Sequence, residues 1–153
     1  MIGLVPDLVK FVPPAKMFDK HVYSPWTGSD LHLQLRDGTV DTLVITGGET
    51  DVCVLTTMLG AIDWGFRVIL VTDALCSSTD ETHDAMMNIY LNRFGEQVET
   101  VTTETLLESG PSSARAGRRE PRTWPSIAGH SRVCLVDLPM AQPDRMPERL
   151  RSG

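Results

Sequence analysis

Residues 41–53 read DTLVITGGETDVC, an apolar run from Thr42 to Thr46 that stops at Gly47-Gly48 and restarts as a second apolar segment beyond Thr50. A run of β-branched and aliphatic residues this short, closed by two glycines, predicts a buried strand and a tight turn. The segment that follows predicts a helix. Thr50 is suited to the N-cap, and Asp51 places a negative charge in the first turn, where the helix dipole favours it. Cys53 falls in the same turn, where unpaired backbone N–H groups stabilise a thiolate and so favour a nucleophile. The residues alone leave a second reading open, because free cysteine is also among the most buried residue types.

The helix predicted after Cys53 runs to about Trp64 and is apolar nearly all round, with Gly65 placed to close it. Arg67 to Thr72 contains an uninterrupted Val-Ile-Leu-Val run, suited to a strand buried on both faces of a parallel sheet. Asp73 stands at its carboxyl end. Ser78-Thr-Asp-Glu81 reads as a capping box for a further helix ended by Gly95, Gln97 to Val101 as another strand, and Thr103 as the cap of a short helix through Leu107. Strands and helices alternating at this spacing predict an α/β fold with a parallel sheet.

Ahead of the central stretch, Leu4, Leu8 and Phe11 share a helical face ended by Pro13-Pro14, and Lys16 to His21 reads as a brief strand entering the loop YSPWTG. Ser29 to Gly38 is divided: the end residues suit a helix, whereas Leu31, Leu33 and Leu35 alternate as in a strand.

The segment TGGETDVCV followed by LTTMLGAIDWGFRVILVTDALCSSTDETHDA resembles the isochorismatase-like cysteine hydrolases, which include nicotinamidases, N-carbamoylsarcosine amidases and biuret hydrolases. The resemblance extends from about Leu4 to Glu108. It implies a three-layer α/β/α Rossmann-like parallel sheet, and it resolves Ser29–Gly38 as a helix. It implies Cys53 as nucleophile and Lys20, in the context DKHVYS, as a member of a catalytic triad. It also implies a cis peptide at Gly48–Glu49 and an oxyanion hole formed by the amides of Glu49 and Cys53; the residues alone are equally compatible with an ordinary glycine turn. The third triad member in such proteins is an aspartate ending the first, central strand of a sheet ordered 3-2-1-4-5-6. This chain matches the pattern only from its middle, so the first strands are expected to be absent, with Thr42 to Thr46 left at an open edge and catalysis far below that of a complete relative. The substrate class implied is a small amide or ureide, cleaved through a thioester, with no organic cofactor. Zinc ligands, where nicotinamidases have them, belong to the N-terminal half. A catalytically inactive module serving in oligomer or protein interaction is the alternative.

Bulk properties narrow the function further. The 153 residues carry 41% apolar and 22% charged residues, as in ordinary globular proteins. The net charge is −6; from Gly110 onward eight Arg face four acids, so that segment is +4 and residues 1–109 are −10. An acidic body disfavours nucleic-acid binding, and no run reaches membrane-spanning length. Three cysteines without a CxxC spacing suit a reduced, cytoplasmic protein, and an exposed sheet edge suits a homo-oligomer. The four histidines, His21, His32, His83 and His130, lack metal-ligand spacing, and His83 is expected on the surface. Domain organisation is read as a hydrolase domain over residues 1–108 (its C-terminal part only) and a Pro/Arg-rich segment, 109–153, without regular structure; Val133 to Leu138 is its one short apolar run.

Overall fold

A computed structural model describes residues 9–12, 15–113 and 132–138. Helix α1, Leu31–Asp37, precedes strand β1, Val40–Gly48. A wide turn, Thr50–Val54, leads into α2, Leu55–Asp63, and then come β2, Arg67–Cys76, α3, Asp80–Arg93, β3, Val98–Val101, α4, Thr103–Ser113, and β4, Arg132–Leu138. The four strands form one sheet in the order β3-β2-β1-β4, and every pairing is parallel.

The strands read as continuous apolar runs because both faces of the sheet are covered. Leu43 and Ile45 of β1 pair in register with Val68 and Leu70 of β2, and this face packs against Leu35 of α1, Val54, Met58 and Ala61 of the turn and α2, and Tyr90 of α3. Val44 pairs with Ile69 on the opposite face, where Val71, Val101 and Leu106 of α4 join them. Helices therefore lie on both sides of a parallel sheet, as the alternation of elements predicts. Gly65 has φ +83°, the left-handed conformation that lets the chain leave α2 and enter β2 within a few residues.

Several local expectations change. Lys16 to His21 forms no strand. The helix at Ser29–Gly38 is present, but as Leu31–Asp37 with Asp30 at its N-cap position. Thr79, not Ser78, caps α3 by accepting from the Thr82 N–H at 3.2 Å. Thr102 accepts from the Thr105 N–H at 3.2 Å, and α4 continues to Ser113 rather than ending at Leu107. The helix read around Leu4 to Phe11 lies largely outside the described residues.

The largest departure concerns the edge of β1. The sequence leaves Thr42 to Thr46 without a neighbour on that side, yet Arg132–Leu138 pairs along it, from Val40↔Arg132 to Gly47↔Leu138. These seven residues lie in the segment read as lacking regular structure. A strand buried on both faces must also satisfy its backbone N–H and C=O groups laterally, and the apolar run ending in Leu138 does so.

Candidate active site

Cys53 sits where β1 hands over to α2, at the carboxyl edge of the sheet, the edge at which ligand sites of open α/β sheets form. The Gly48–Glu49 peptide is cis, and Gly47 has φ +92°. The turn is wider than an α-helical one: the Val54 N–H reaches the Glu49 carbonyl, five residues back, at 2.9 Å. Such π-type turns recur at functional sites. Thr50 is therefore not the N-cap that the sequence suggests. Its side chain is buried and meets His83 Nδ1 at 3.0 Å instead.

Cys53 is 1% exposed. Lys20 Nζ lies 3.3 Å from its Sγ and 3.3 Å from the Val22 carbonyl oxygen. A lysine and a cysteine 33 positions apart in sequence are thus brought into direct contact. The loop bearing Lys20 is fixed to α2 by Trp26, whose Nε1–H donates to the Thr57 carbonyl at 3.0 Å and whose ring stacks on Phe66. Gly60 makes that contact possible, since a Cβ there would meet the Trp26 ring at 2.1 Å.

A network of polar groups braces the cysteine's turn. Ser77 Oγ donates to Asp51 at 2.7 Å and accepts from the Thr50 N–H at 3.1 Å. Ser78 Oγ donates to the Glu49 carboxylate. The Tyr90 hydroxyl, fully buried, donates to the Thr50 carbonyl. Burial, with the neighbouring Asp51 charge adding to it, raises the Tyr90 phenol well above its ordinary range, so it stays a donor. Sequence reading assigned no role to Ser77, His83 or Tyr90. They lie 26 to 40 positions from their partners, and no local pattern marks them. Asp51 and Asp73 serve structure: Asp73 accepts from the Thr103 N–H at 2.8 Å and from its hydroxyl at 3.0 Å, which holds the start of α4.

A cavity of about 160 Å³ opens beside Lys20, lined in part by Phe18, His21, Pro25 and Ser29. A larger, open depression of about 540 Å³ lies between Trp26 and α2 and does not reach Cys53. Among the described residues no group of His, Cys, Asp or Glu could hold a metal ion, and no helix is long and apolar enough to cross a membrane.

Fold and site together define a parallel α/β protein with a lysine-paired cysteine at the carboxyl edge of its sheet. The Isochorismatase domain model matches residues 2–102, and the chain belongs to that family. It is 34% identical over 108 residues to an uncharacterized isochorismatase family protein, YwoC, of Bacillus subtilis, covering 67% of this chain and 56% of that protein. It is 34% identical over 77 residues to nicotinamidase 3 of Arabidopsis thaliana, covering 50% of this chain and 39% of the relative. The structure of nicotinamidase PncA from Bacillus subtilis superposes with a TM-score of 0.54 at 29% identity, over 63% of this chain and 51% of that one. The chain spans about half the length of the relatives it matches.

Proposed function

We propose that this chain is a cysteine hydrolase that cleaves the C–N bond of a small amide or ureide. The Cys53 thiolate attacks the carbonyl carbon, the amine leaves, and water hydrolyses the resulting thioester. Lys20 stabilises the thiolate, and the amides of Glu49 and Cys53 receive the oxyanion. The observation that carries this reading is the 3.3 Å approach of Lys20 to Cys53 at the start of a helix, in a chain of this family. Nicotinamidases among its relatives support the amide as substrate class. Residues 1–108 would supply the C-terminal part of the hydrolase domain, and three cysteines without a CxxC spacing suit a reducing, cytoplasmic setting.

The test is ammonia release from nicotinamide, biuret and N-carbamoyl amino acids by the intact chain. Turnover is expected on at least one of these. Cys53→Ala should abolish it, and Lys20→Met should lower it at least about 10-fold through loss of the neighbouring positive charge. Turnover that survives Cys53→Ala, or its absence on every amide, overturns the reading.

A further inference from the structure

We infer that His83, in the first turns of α3, is a positioning residue for the Cys53 site. Its neutral ring, with the proton on Nε2, accepts the Thr50 hydroxyl at Nδ1 and so fixes the turn that aims the Glu49 and Cys53 amides. The catalytic consequence rests on the hydrolase reading above; the anchoring rests on the geometry of Thr50 alone.

Thr50 is 0% exposed, so its polar groups must find partners inside the protein. Each of the three is held by a different side chain. The N–H donates to Ser77 Oγ at 3.1 Å, the carbonyl accepts from the Tyr90 hydroxyl, and the side-chain hydroxyl meets His83 Nδ1 at 3.0 Å. Ser77 directly follows β2, and His83 and Tyr90 both stand on α3, so two neighbouring elements clamp one residue of the turn. That residue lies between the two amides proposed to receive the oxyanion. The bonds from Ser77 and Tyr90 hold the peptides on either side of Thr50, and the bond from His83 holds the side chain between them. Ser77 and Tyr90 grip backbone groups that almost any residue would offer. His83 alone reads the hydroxyl, across 33 positions of sequence and with a half-buried ring where the sequence suggests a surface one.

Chemistry sets the direction of this bond. A hydroxyl closed to water has one proton to donate, and buried donors without acceptors are rare. Among the described residues the Thr50 hydroxyl has no partner besides His83, so Nδ1 is the acceptor. A neutral imidazole that accepts at Nδ1 carries its proton on Nε2. The other tautomer, or the imidazolium, presents an N–H to the hydroxyl and leaves the hydroxyl proton without an acceptor.

Backbone amides stabilise an oxyanion only when aimed at it, and they act in the transition state rather than in ground-state binding. Loosening the turn at Thr50 should therefore lower kcat and leave KM nearly unchanged. The Lys20–Cys53 contact does not pass through His83. Alkylation of the thiol by iodoacetamide builds no oxyanion, so it should not respond to the loss of the ring.

Nuclear magnetic resonance of the intact chain is the first test. Long-range proton–nitrogen correlation at about pH 8 should show the His83 ring protonated on Nε2 and bare at Nδ1; a proton on Nδ1 overturns the assignment. In His83→Ala the Glu49 and Cys53 amide signals should move. In His83→Asn, whose side-chain oxygen supplies an acceptor in place of Nδ1, they should return toward the parent positions. Amides that stay in place in His83→Ala overturn the positioning role, whether or not any substrate is turned over. Kinetics read the consequence. His83→Ala should lower kcat about 10–10²-fold, since a misplacement of about 1 Å costs up to about 10²-fold. KM and Cys53 alkylation should stay within about twofold of the parent, and His83→Asn should recover most of the loss. An unchanged kcat overturns the inference, as does a parallel loss of kcat and alkylation, which marks a merely destabilised fold. Thr50→Val, which removes the hydroxyl at nearly constant shape, serves the same readings if His83→Ala does not fold. The expected tautomer and moved amides, with no turnover by the parent on any amide, keep His83 as the anchor of the turn and remove the hydrolase reading instead.

Discussion

Tyr90 illustrates how a single side chain can brace the turn that carries Cys53 without touching the cysteine. Its hydroxyl reaches the carbonyl of Thr50, two residues after the cis peptide and three before Cys53, and the ring is wholly buried against the sheet. Removing only the oxygen, in Tyr90→Phe, leaves that carbonyl short of a donor in a site closed to water. The cost is expected to be about 1–3 kcal/mol, the desolvation penalty of a buried unpaired group, with little change in packing. A urea titration reads it as a lower midpoint at constant slope. An unchanged midpoint would mean that the Thr50 carbonyl has another partner and that Tyr90 merely fills space. Lys20 offers a contrast at the same scale. From sequence it was named through a motif alone, because a lone lysine is ordinarily solvated, and the structure sets its ammonium against a sulfur 33 positions away. The position of Cys53 was legible for a more physical reason: an apolar strand closed by two glycines and followed by a second apolar segment predicts the passage from strand to helix in which it stands.

Helix α4 depends on a cap borrowed from another element. Asp73, on β2, receives both the backbone N–H and the hydroxyl of Thr103, and the backbone bond in particular holds its carboxyl below the ordinary value of 3.8. A carboxylate with a lowered folded-state pKa adds stability that is present above its unfolded value and is lost as the pH falls through the folded one. Asp73→Asn should therefore lower the melting temperature at neutral pH, and the gap between parent and variant should close as the pH falls below 3.8. A gap constant from pH 7 to pH 3 would show that the aspartate acts by shape rather than charge. This cap also marks where element reading from sequence reaches its limit. The positions of β1, α2, β2 and α3 follow from apolar periodicity and glycine breaks, which are local signals. Caps shift by a residue or more, from Ser78 to Thr79 and from Thr103 to Thr102, because neighbouring hydroxyls are locally equivalent and packing chooses among them. The stretch from Lys16 to His21 follows a different constraint: it must carry Lys20 to the cysteine, with Trp26 tying it to α2, and so it runs irregularly rather than as a strand.

The sheet as a whole is completed from far along the chain, and this feature was illegible in the sequence. Val133 to Leu138 is a short apolar run among proline, arginine and serine, and nothing in those residues names a partner some ninety positions earlier. The demand for a partner is visible only from β1, whose residues Thr42 to Ile45 are 2% exposed or less and whose amides need neighbours on both sides. A pairing of such long range is costly in loop-closure entropy but adds little further cost per added residue, so a strand this distant can still close the sheet. If β4 supplies that closure, the amides of Thr42 to Thr46 should be strongly protected from hydrogen exchange in the intact chain. Successive strand amides alternate in direction, so one of the two at Leu135 and Val136 must face β1. Replacing both residues by proline removes that bond whichever one it is. The double variant should lose protection in Thr42 to Thr46 first and then associate through the uncovered edge, visible as earlier elution in size-exclusion chromatography. Protection and elution identical to those of the parent would mean that β1 is satisfied by something other than Arg132–Leu138.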